Sequence, residues 1–426
     1  MNWRNRSQIF RKMFKQGEYH QLWYLIKRRL YINLLMKPVG LPVGLIIIPI
    51  IYILKPIVRI RLSSVPTGRI GHLAFESELY LRKKSLNSDR KKKLDVFFTN
   101  RAVQTKTIAN KQLLSMYKRQ MLIFDSYIAS WFFYSVEWLL HYTDIVFELP
   151  HEENVEAHAL FKKVDSRLKL TIEELEKGNK FLLSIGINPN TDWFVLVFAR
   201  DSSYLNKQFP NHNWGYHDWR NAGINSFEQA VKYIIEQGGY VLRMGSVVDN
   251  KLDFVHERYI DYAVKYRDDF LDVFLTSTCK FMLGTTSGLG DLATVMDKPR
   301  IVTNSVPLGY VMQGKNCIYI PKKIVDRKTN SFISMKKMLK ETADLEFRSD
   351  KFLLGDCDYI DNTPEEIREV TEEMLSRLNG AYKQNSTEQA LLERYYALFN
   401  KNNKSYGIDT PIGDKYLKDN LKWIFG

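Results

Sequence analysis

The chain reads as an α/β protein of two sheet-bearing domains behind a membrane-associated N-terminal segment. Three observations carry that reading. Short apolar runs alternate with helical periodicity in two series, one before and one after residue 186. At 426 residues there is room for two domains of ordinary size. The basic surplus is concentrated at the N-terminus, beside an uncharged apolar stretch.

Hydrophobic residues make up 45% of the chain and charged residues 26%, which fits a packed core rather than disorder. A net charge of +14 spread over the whole surface would suggest a nucleic-acid partner. Instead, residues 1–37 hold nine Lys and Arg against the single acid Glu18, and the remaining 389 residues carry only about +6. No nucleic-acid partner is expected. Cys279, Cys317 and Cys357 are far apart and odd in number, which argues for a reducing compartment and against zinc or disulfides. None of the eight histidines forms a metal-ligand pair, so no metal site and no cofactor are expected.

Residues 1–57 form the first segment. Basic and aromatic residues up to Lys37 precede an uncharged run of 17 residues, Pro38–Leu54, interrupted by Pro42, Pro49, Gly40 and Gly44. Its length sits at the lower limit for a membrane span, and its prolines weigh against a straight one. It starts too late for a signal peptide. The reading preferred is a peripheral or monotopic anchor on the anionic cytoplasmic face of the plasma membrane; a single span and a buried core helix are the alternatives.

Residues 58–185 form the first α/β domain. Strands are expected at Val58–Leu62, Leu94–Phe98 and Met121–Phe124, with helices over Leu73–Arg82 and around Gln112. The loop Pro66–His72 joins the first strand to its helix. Arg90–Lys93 reads as a solvated turn, or as an addition to the membrane-facing patch. A charged amphipathic helix is expected over Phe161–Lys180, followed by a linker at Ile185–Thr191.

Residues 186–360 form the second domain. Its strands Trp193–Phe198, Tyr240–Met244 and Cys279–Leu283 end in Arg200-Asp201-Ser202, in Gly245-Ser246 just past Arg243, and in Gly284-Thr285-Thr286-Ser287-Gly288. A helix carrying Asp291 follows, and Arg300–Thr303 is the next strand. Ligands of open α/β sheets bind at such strand ends. A small-residue loop opening a helix offers bare N–H groups, a dipole and hydroxyls to an anion. Two arginines beside it suit a diphosphate. The alternative is a strand-to-helix turn capped by Ser or Thr. Asp356 and Asp358 form a DxD that reads as turn chemistry. Residues 361–426 are helical, with Thr363 capping a helix that ends at Gly380.

A transfer reaction also needs a base for its acceptor. His72, Glu76 and Glu78, at the start of the first domain's helix, are the candidates. His72 could equally cap the helix, and the two acids could serve its dipole.

Four segments, Arg69–Leu81, Phe198–Asp201, Tyr240–Gly245 and Phe281–Gly288, together resemble a bacterial family of glycosyltransferases encoded with surface-polysaccharide genes. The resemblance covers about residues 60–380. More distantly, the donor half looks like that of fucosyltransferases. The resemblance implies the GT-B architecture: two facing Rossmann-like domains, a sugar-nucleotide donor in the second, and no required metal. It implies that Arg200 and Arg243 hold the diphosphate, that Thr285, Thr286 and Ser287 line it, and that the C-terminal helices return toward the first domain. A glycan or lipid-linked molecule would be the acceptor. Arg200-Asp201 stands where fucosyltransferases have consecutive arginines, which speaks against fucose and guanosine diphosphate. Two rival classes are an epimerase-like enzyme acting on the sugar nucleotide and a non-catalytic assembly protein. A dinucleotide-dependent dehydrogenase is disfavoured, because Gly288–Ala293 forms a GxGxxA only late in the chain.

Overall fold

The computed structural model describes residues 19–86, 93–104, 107–151, 154–200, 215–245, 251–311, 314–341, 357–401, 403 and 405–426. The chain divides into two compact units. Unit 1 comprises residues 1–77, 87–150 and 205–213; unit 2 comprises 78–86, 151–204 and 214–426. The boundary therefore does not fall at residue 185. Residues 151–185 belong to unit 2 instead.

The N-terminal segment is helical, as α1 (Tyr19–Tyr31), a π-helical turn (Ile32–Met36) and α2 (Lys37–Leu54). Pro42 and Pro49 lie inside α2 without ending it. The α/β part of unit 1 follows as β1 (Arg59–Val65), α3 (Ile70–Leu86), β2 (Lys93–Thr99), α4 (Lys111–Lys118), β3 (Leu122–Phe124) and α5 (Tyr127–Leu140). All three strands expected here are present. They pair in parallel in the order β1-β2-β3. Arg61 faces Asp95 in that register and grips it with two bonds, Nε to Oδ1 at 2.7 Å and Nη2 to Oδ2 at 2.8 Å. Asn110 and Ser126 cap α4 and α5, each accepting from a backbone N–H of the first turn.

Unit 2 opens with α6 (Val155–Lys163) and α7 (Ile172–Ser184), where one helix over Phe161–Lys180 was expected. The break has a cause far away in sequence. The buried guanidinium of Arg82 binds the carbonyls of Phe161 at 3.1 Å and Val164 at 2.5 Å, satisfying the orphan acceptors at the end of α6. Helix α7 then restarts on a capping box between Thr171 and Glu174.

The sheet of unit 2 uses β4 (Phe194–Phe198), β5 (Tyr240–Arg243), β6 (Tyr259–Ile260), β7 (Phe281–Thr285), β8 (Arg300–Ser305) and β9 (Cys317–Pro321). Helices α8 (Glu228–Glu236), α9 (Asp269–Thr278) and α10 (Gly288–Val295) connect successive strands. All pairings are parallel, in the order β6-β5-β4-β7-β8-β9. Every residue of β4 is buried, as a central strand covered on both faces requires. Each such side chain contributes about 1.5–3 kcal/mol of hydrophobic stabilisation.

Past Pro321 the chain keeps regular structure that the sequence does not announce. Strands β10 (Lys323–Asp326), β11 (Ser331–Phe332) and β12 (Cys357–Ile360) form a small antiparallel sheet. Asp358 thus lies in a strand rather than a turn, with its carboxylate against Arg327 Nε at 2.8 Å; Asp356 lies outside the described residues. Helix α11 (Pro364–Leu378) starts on the Thr363–Glu366 capping box, and α12 (Ser386–Tyr396) on one between Asn385 and Glu388. Residues 361–426 belong to unit 2. Ile367, Val370, Met374, Tyr395, Phe399, Ile412 and Trp423 complete a core shared with Val195, Leu283 and Ile301 of the sheet.

Candidate active site

Within unit 2 the strands, numbered by their order in the chain, lie 3-2-1-4-5-6 across the sheet. Winding proceeds in one direction from β4 to β6 and in the other from β7 to β9. Right-handed crossovers then send the connections after β4 and β7 to opposite faces. In open α/β sheets ligands bind beyond the carboxyl ends of the strands at such a reversal.

The residues at that reversal are the ones marked in the sequence. The N–H of Arg200, just past β4, donates to Thr285 Oγ1 at the end of β7 across 2.9 Å. Arg200 Nη1 donates to Asn221 Oδ1. The carbonyl of Asn221 in turn accepts from Lys322 Nζ at 2.7 Å. Arg220 Nη2 donates to the Thr286 carbonyl at 3.1 Å. Arg220 and Lys322 are functional candidates that sequence reasoning missed. Lys322 is nearly fully buried and pairs with Asp361 at 2.6 Å. Burial lowers its affinity for a proton, and the charge of Arg200 adds to the effect.

Beyond Thr285 lie two hydroxyls of another kind. Thr286 Oγ1 and Ser287 Oγ are buried and have no hydrogen-bond partner among the described residues. Ser287 occupies the N-cap of α10, yet its side chain makes no capping bond. The side-chain cap that a Ser-capped turn would carry at Ser287 is therefore missing. A buried hydroxyl without a partner is costly, by about 1–3 kcal/mol. Here two such groups sit with the first N–H groups of a helix at the strand-order reversal, an arrangement suited to an anion's oxygens.

Other expected positions have different tasks. A Cβ on Gly284 would lie 2.4 Å from the Phe198 ring, so this glycine serves strand packing, not close approach of a ligand. Asp291 turns to Arg300, Oδ1 to Nη1 at 3.5 Å, and an anion site does not gain from its carboxylate. Arg243 is buried at the end of β5, with Nη1 3.1 Å from Asp261 Oδ2, and Gly245 follows it. Gly288 opens α10. Asp201, Ser202 and Ser246 lie outside the described residues.

In unit 1, Thr67 of the loop after β1 donates from both its N–H and its hydroxyl to Asn100 Oδ1, each at 3.0 Å, fixing that loop to the end of β2. Helix α3 then presents His72 and Glu76 one turn apart, Nδ1 to Oε1 at 2.8 Å. His72 is 55% exposed and Glu76 15%, so the carboxylate orients a ring that solvent reaches. Glu78 is different. It belongs to unit 2, has no exposure, and accepts from Arg82 Nε at 2.9 Å and from the Arg167 N–H at 2.6 Å. Burial raises its pKa despite the Arg82 charge. It is a structural acid beside Arg82 and Asp297, not an accessible base.

Among the described residues no group of His, Cys, Asp or Glu is arranged to hold a metal ion. No protein-family model matches the sequence, and no curated protein matches it. Several solved structures show a distant likeness. ADP-heptose LPS heptosyltransferase II from E. coli aligns over 75% of this chain and 98% of its own at 11% identity and a TM-score of 0.42. A family 9 glycosyl transferase from Veillonella parvula aligns over 74% and 97%, at 8% identity and a TM-score of 0.44. UDP-GlcNAc 2-epimerase from Methanocaldococcus jannaschii aligns over 75% and 77%, at 13% identity and a TM-score of 0.24. Scores this low assign no activity to this chain.

Proposed function

We propose that the protein is a glycosyltransferase that takes a sugar from a nucleoside-diphosphate sugar and works without a metal. The observation that carries this reading is the pairing of Thr286 and Ser287, with their unspent hydroxyls, with Arg200, Arg220 and Lys322 at the strand-order reversal. Backbone amides of α10 and the two hydroxyls would bind the diphosphate, and the cations would take up the charge it gains on leaving. Preorganised donors of this kind stabilise a departing anion without a divalent ion.

In the transfer, an acceptor hydroxyl oxygen bonds to the anomeric carbon as the bond from that carbon to the diphosphate oxygen breaks. The hydroxyl proton needs a base, and His72, held by Glu76, is an accessible proton acceptor in unit 1. Arg243 would support β5 beside the nucleotide rather than touch it. The basic, apolar segment 1–57 favours an acceptor presented at the cytoplasmic face of the plasma membrane, a lipid-linked or growing surface glycan.

The test is a thermal-shift titration of the full chain in detergent with uridine, guanosine, adenosine, cytidine and thymidine diphosphates, beside Ser287→Ala and Arg200→Ala. Stabilisation by one diphosphate, reduced in both variants, is the expected result. No shift with any of the five overturns the reading.

A further inference from the structure

Helix α2 is not a lone apolar helix. It lies against α5 within unit 1. A Cβ on Gly40 would fall 1.9 Å from the Ser135 carbonyl oxygen, and one on Gly44 would fall 2.6 Å from Leu139. These two glycines therefore let α2 approach α5 at backbone distance, as small residues do between tightly packed helices. Ile51 joins Val136 and Leu140 in one buried cluster. Tyr31 accepts from Trp131 Nε1 at 2.7 Å before α2, and Lys55 reaches Asp144 at 2.9 Å after it.

What the two helices do not bury against each other is apolar and open. On α2, Leu45 is 66% exposed, Ile46 64% and Ile53 74%; on α5, Ile128 is 68% and Phe132 45%. Leu34 and Leu35 of the π-helical turn and Phe124 of β3 are exposed as well. Single exposed apolar residues are ordinary; a face of this size is not. Trp131 and Trp138 lie on α5 and Trp23 and Tyr31 on the preceding α1, with Lys27 over Trp23 and Lys37 over Trp138, the pairing of aromatic and cation found where protein meets headgroups.

We propose that α2 and α5 form one composite membrane-binding face, embedded side by side in a single leaflet of an anionic bilayer. By length and composition the helical run Leu25–Leu54 could cross a membrane, but α5, packed along it, is too short to do so. The 14 residues of α5 extend about 21 Å, short of a hydrocarbon core of about 30 Å, and Asp125 and Asp144 flank it. A helix fastened along α5 shares its depth. Charge decides the lipid: residues 1–37 carry nine cations against one acid. The inference rests on the membrane-bound setting of the proposed function and adds α5, a segment outside residues 1–57, to the binding surface.

The test is flotation of the full chain, transferred from detergent to vesicles of phosphatidylcholine alone or with phosphatidylglycerol. Wild type should float with the anionic vesicles. The double substitution Ile128→Glu and Phe132→Glu on α5 should reduce the floated fraction at least tenfold, with an unchanged melting temperature in detergent. If that variant misfolds, brominated phosphatidylglycerol vesicles supply a second readout: they should quench a share of the tryptophan emission that disappears in Trp131→Phe. Flotation of the α5 variant like wild type, or no Trp131-dependent quenching, overturns the proposal, since α2 would then bind alone. A dimer in vesicle-free solution that the α5 variant dissociates, without flotation of wild type, also overturns it and gives the face to a second copy. Failure to bind any nucleoside diphosphate would sink the transferase reading and leave these outcomes standing.

Discussion

The Arg200 N–H bonds Thr285 Oγ1 at 2.9 Å, so the chain leaving β4 is fastened to the chain leaving β7. The three hydroxyls of this loop thereby divide. Thr285 is spent on the fold, while Thr286 and Ser287 are not. Thr285→Val should destabilise the protein by about 1 kcal/mol or more, because a part-buried N–H loses its acceptor. Thr286→Val and Ser287→Ala should leave stability unchanged or raise it, while weakening diphosphate binding roughly tenfold each. Urea unfolding beside the thermal-shift titration separates the two classes. Equal loss of stability in all three would mean the latter hydroxyls have structural partners.

Gly284 tests packing at the same strand end. Its alanine would bring a methyl to 2.4 Å from Phe198 in the fully buried strand β7. Overpacking of this kind costs about 1–3 kcal/mol. Gly284→Ala should lower stability by that amount, and Phe198→Leu should recover part of it. An alanine variant as stable as wild type would show that the β4–β7 spacing yields freely.

These two cases mark how far the sequence could be read. Strand ends, and the residues at them, followed from apolar runs stopping at Arg200, Arg243 and Gly284, since burial dictates the run and its end is local. What each residue does there did not follow. Phe198 fills the space at Gly284, and Asp261 takes Arg243, through pairings set by strand order rather than by neighbours in the chain. Arg82 ends helix α6 from about 80 residues away, which no periodicity in Phe161–Lys180 announces. Arg220 and Lys322 lie on connections whose course depends on the finished sheet. The antiparallel strands β10, β11 and β12 are too short for their pattern to rise above that of a loop.

Asp272 on α9 makes stability depend on pH. Burial pushes its carboxyl up to about 6, against the opposing pull of Arg267 and of the Tyr262 hydroxyl, which donates to it at 2.8 Å. The folded protein thus holds this proton more tightly than the unfolded chain. Its contribution is full below the ordinary aspartate value and is lost as pH rises through about 6. A shift of that size corresponds to about 3 kcal/mol. Denaturant unfolding between pH 4 and pH 7 should show the wild type losing stability relative to Asp272→Asn by about that amount. Parallel pH profiles would mean that Asp272 is ionised in the fold.

The His72–Glu76 pair separates chemistry from binding. Nδ1 of His72 faces Glu76 Oε1, which leaves Nε2 to take a proton from an acceptor hydroxyl. His72→Gln should lower turnover by about 10²- to 10⁴-fold, the usual worth of a positioned base, without changing diphosphate affinity. Glu76→Gln keeps a partner for the ring but removes the charge that would stabilise an imidazolium, so its loss should be smaller, about tenfold. The two single effects should also fail to add in the double variant, because both act through one imidazole. Transfer of a radiolabelled sugar from the diphosphate donor found in the titration, to membrane extract as acceptor, gives the rates. Full activity in His72→Gln would place the base elsewhere and leave this pair the role of closing the first turn of α3.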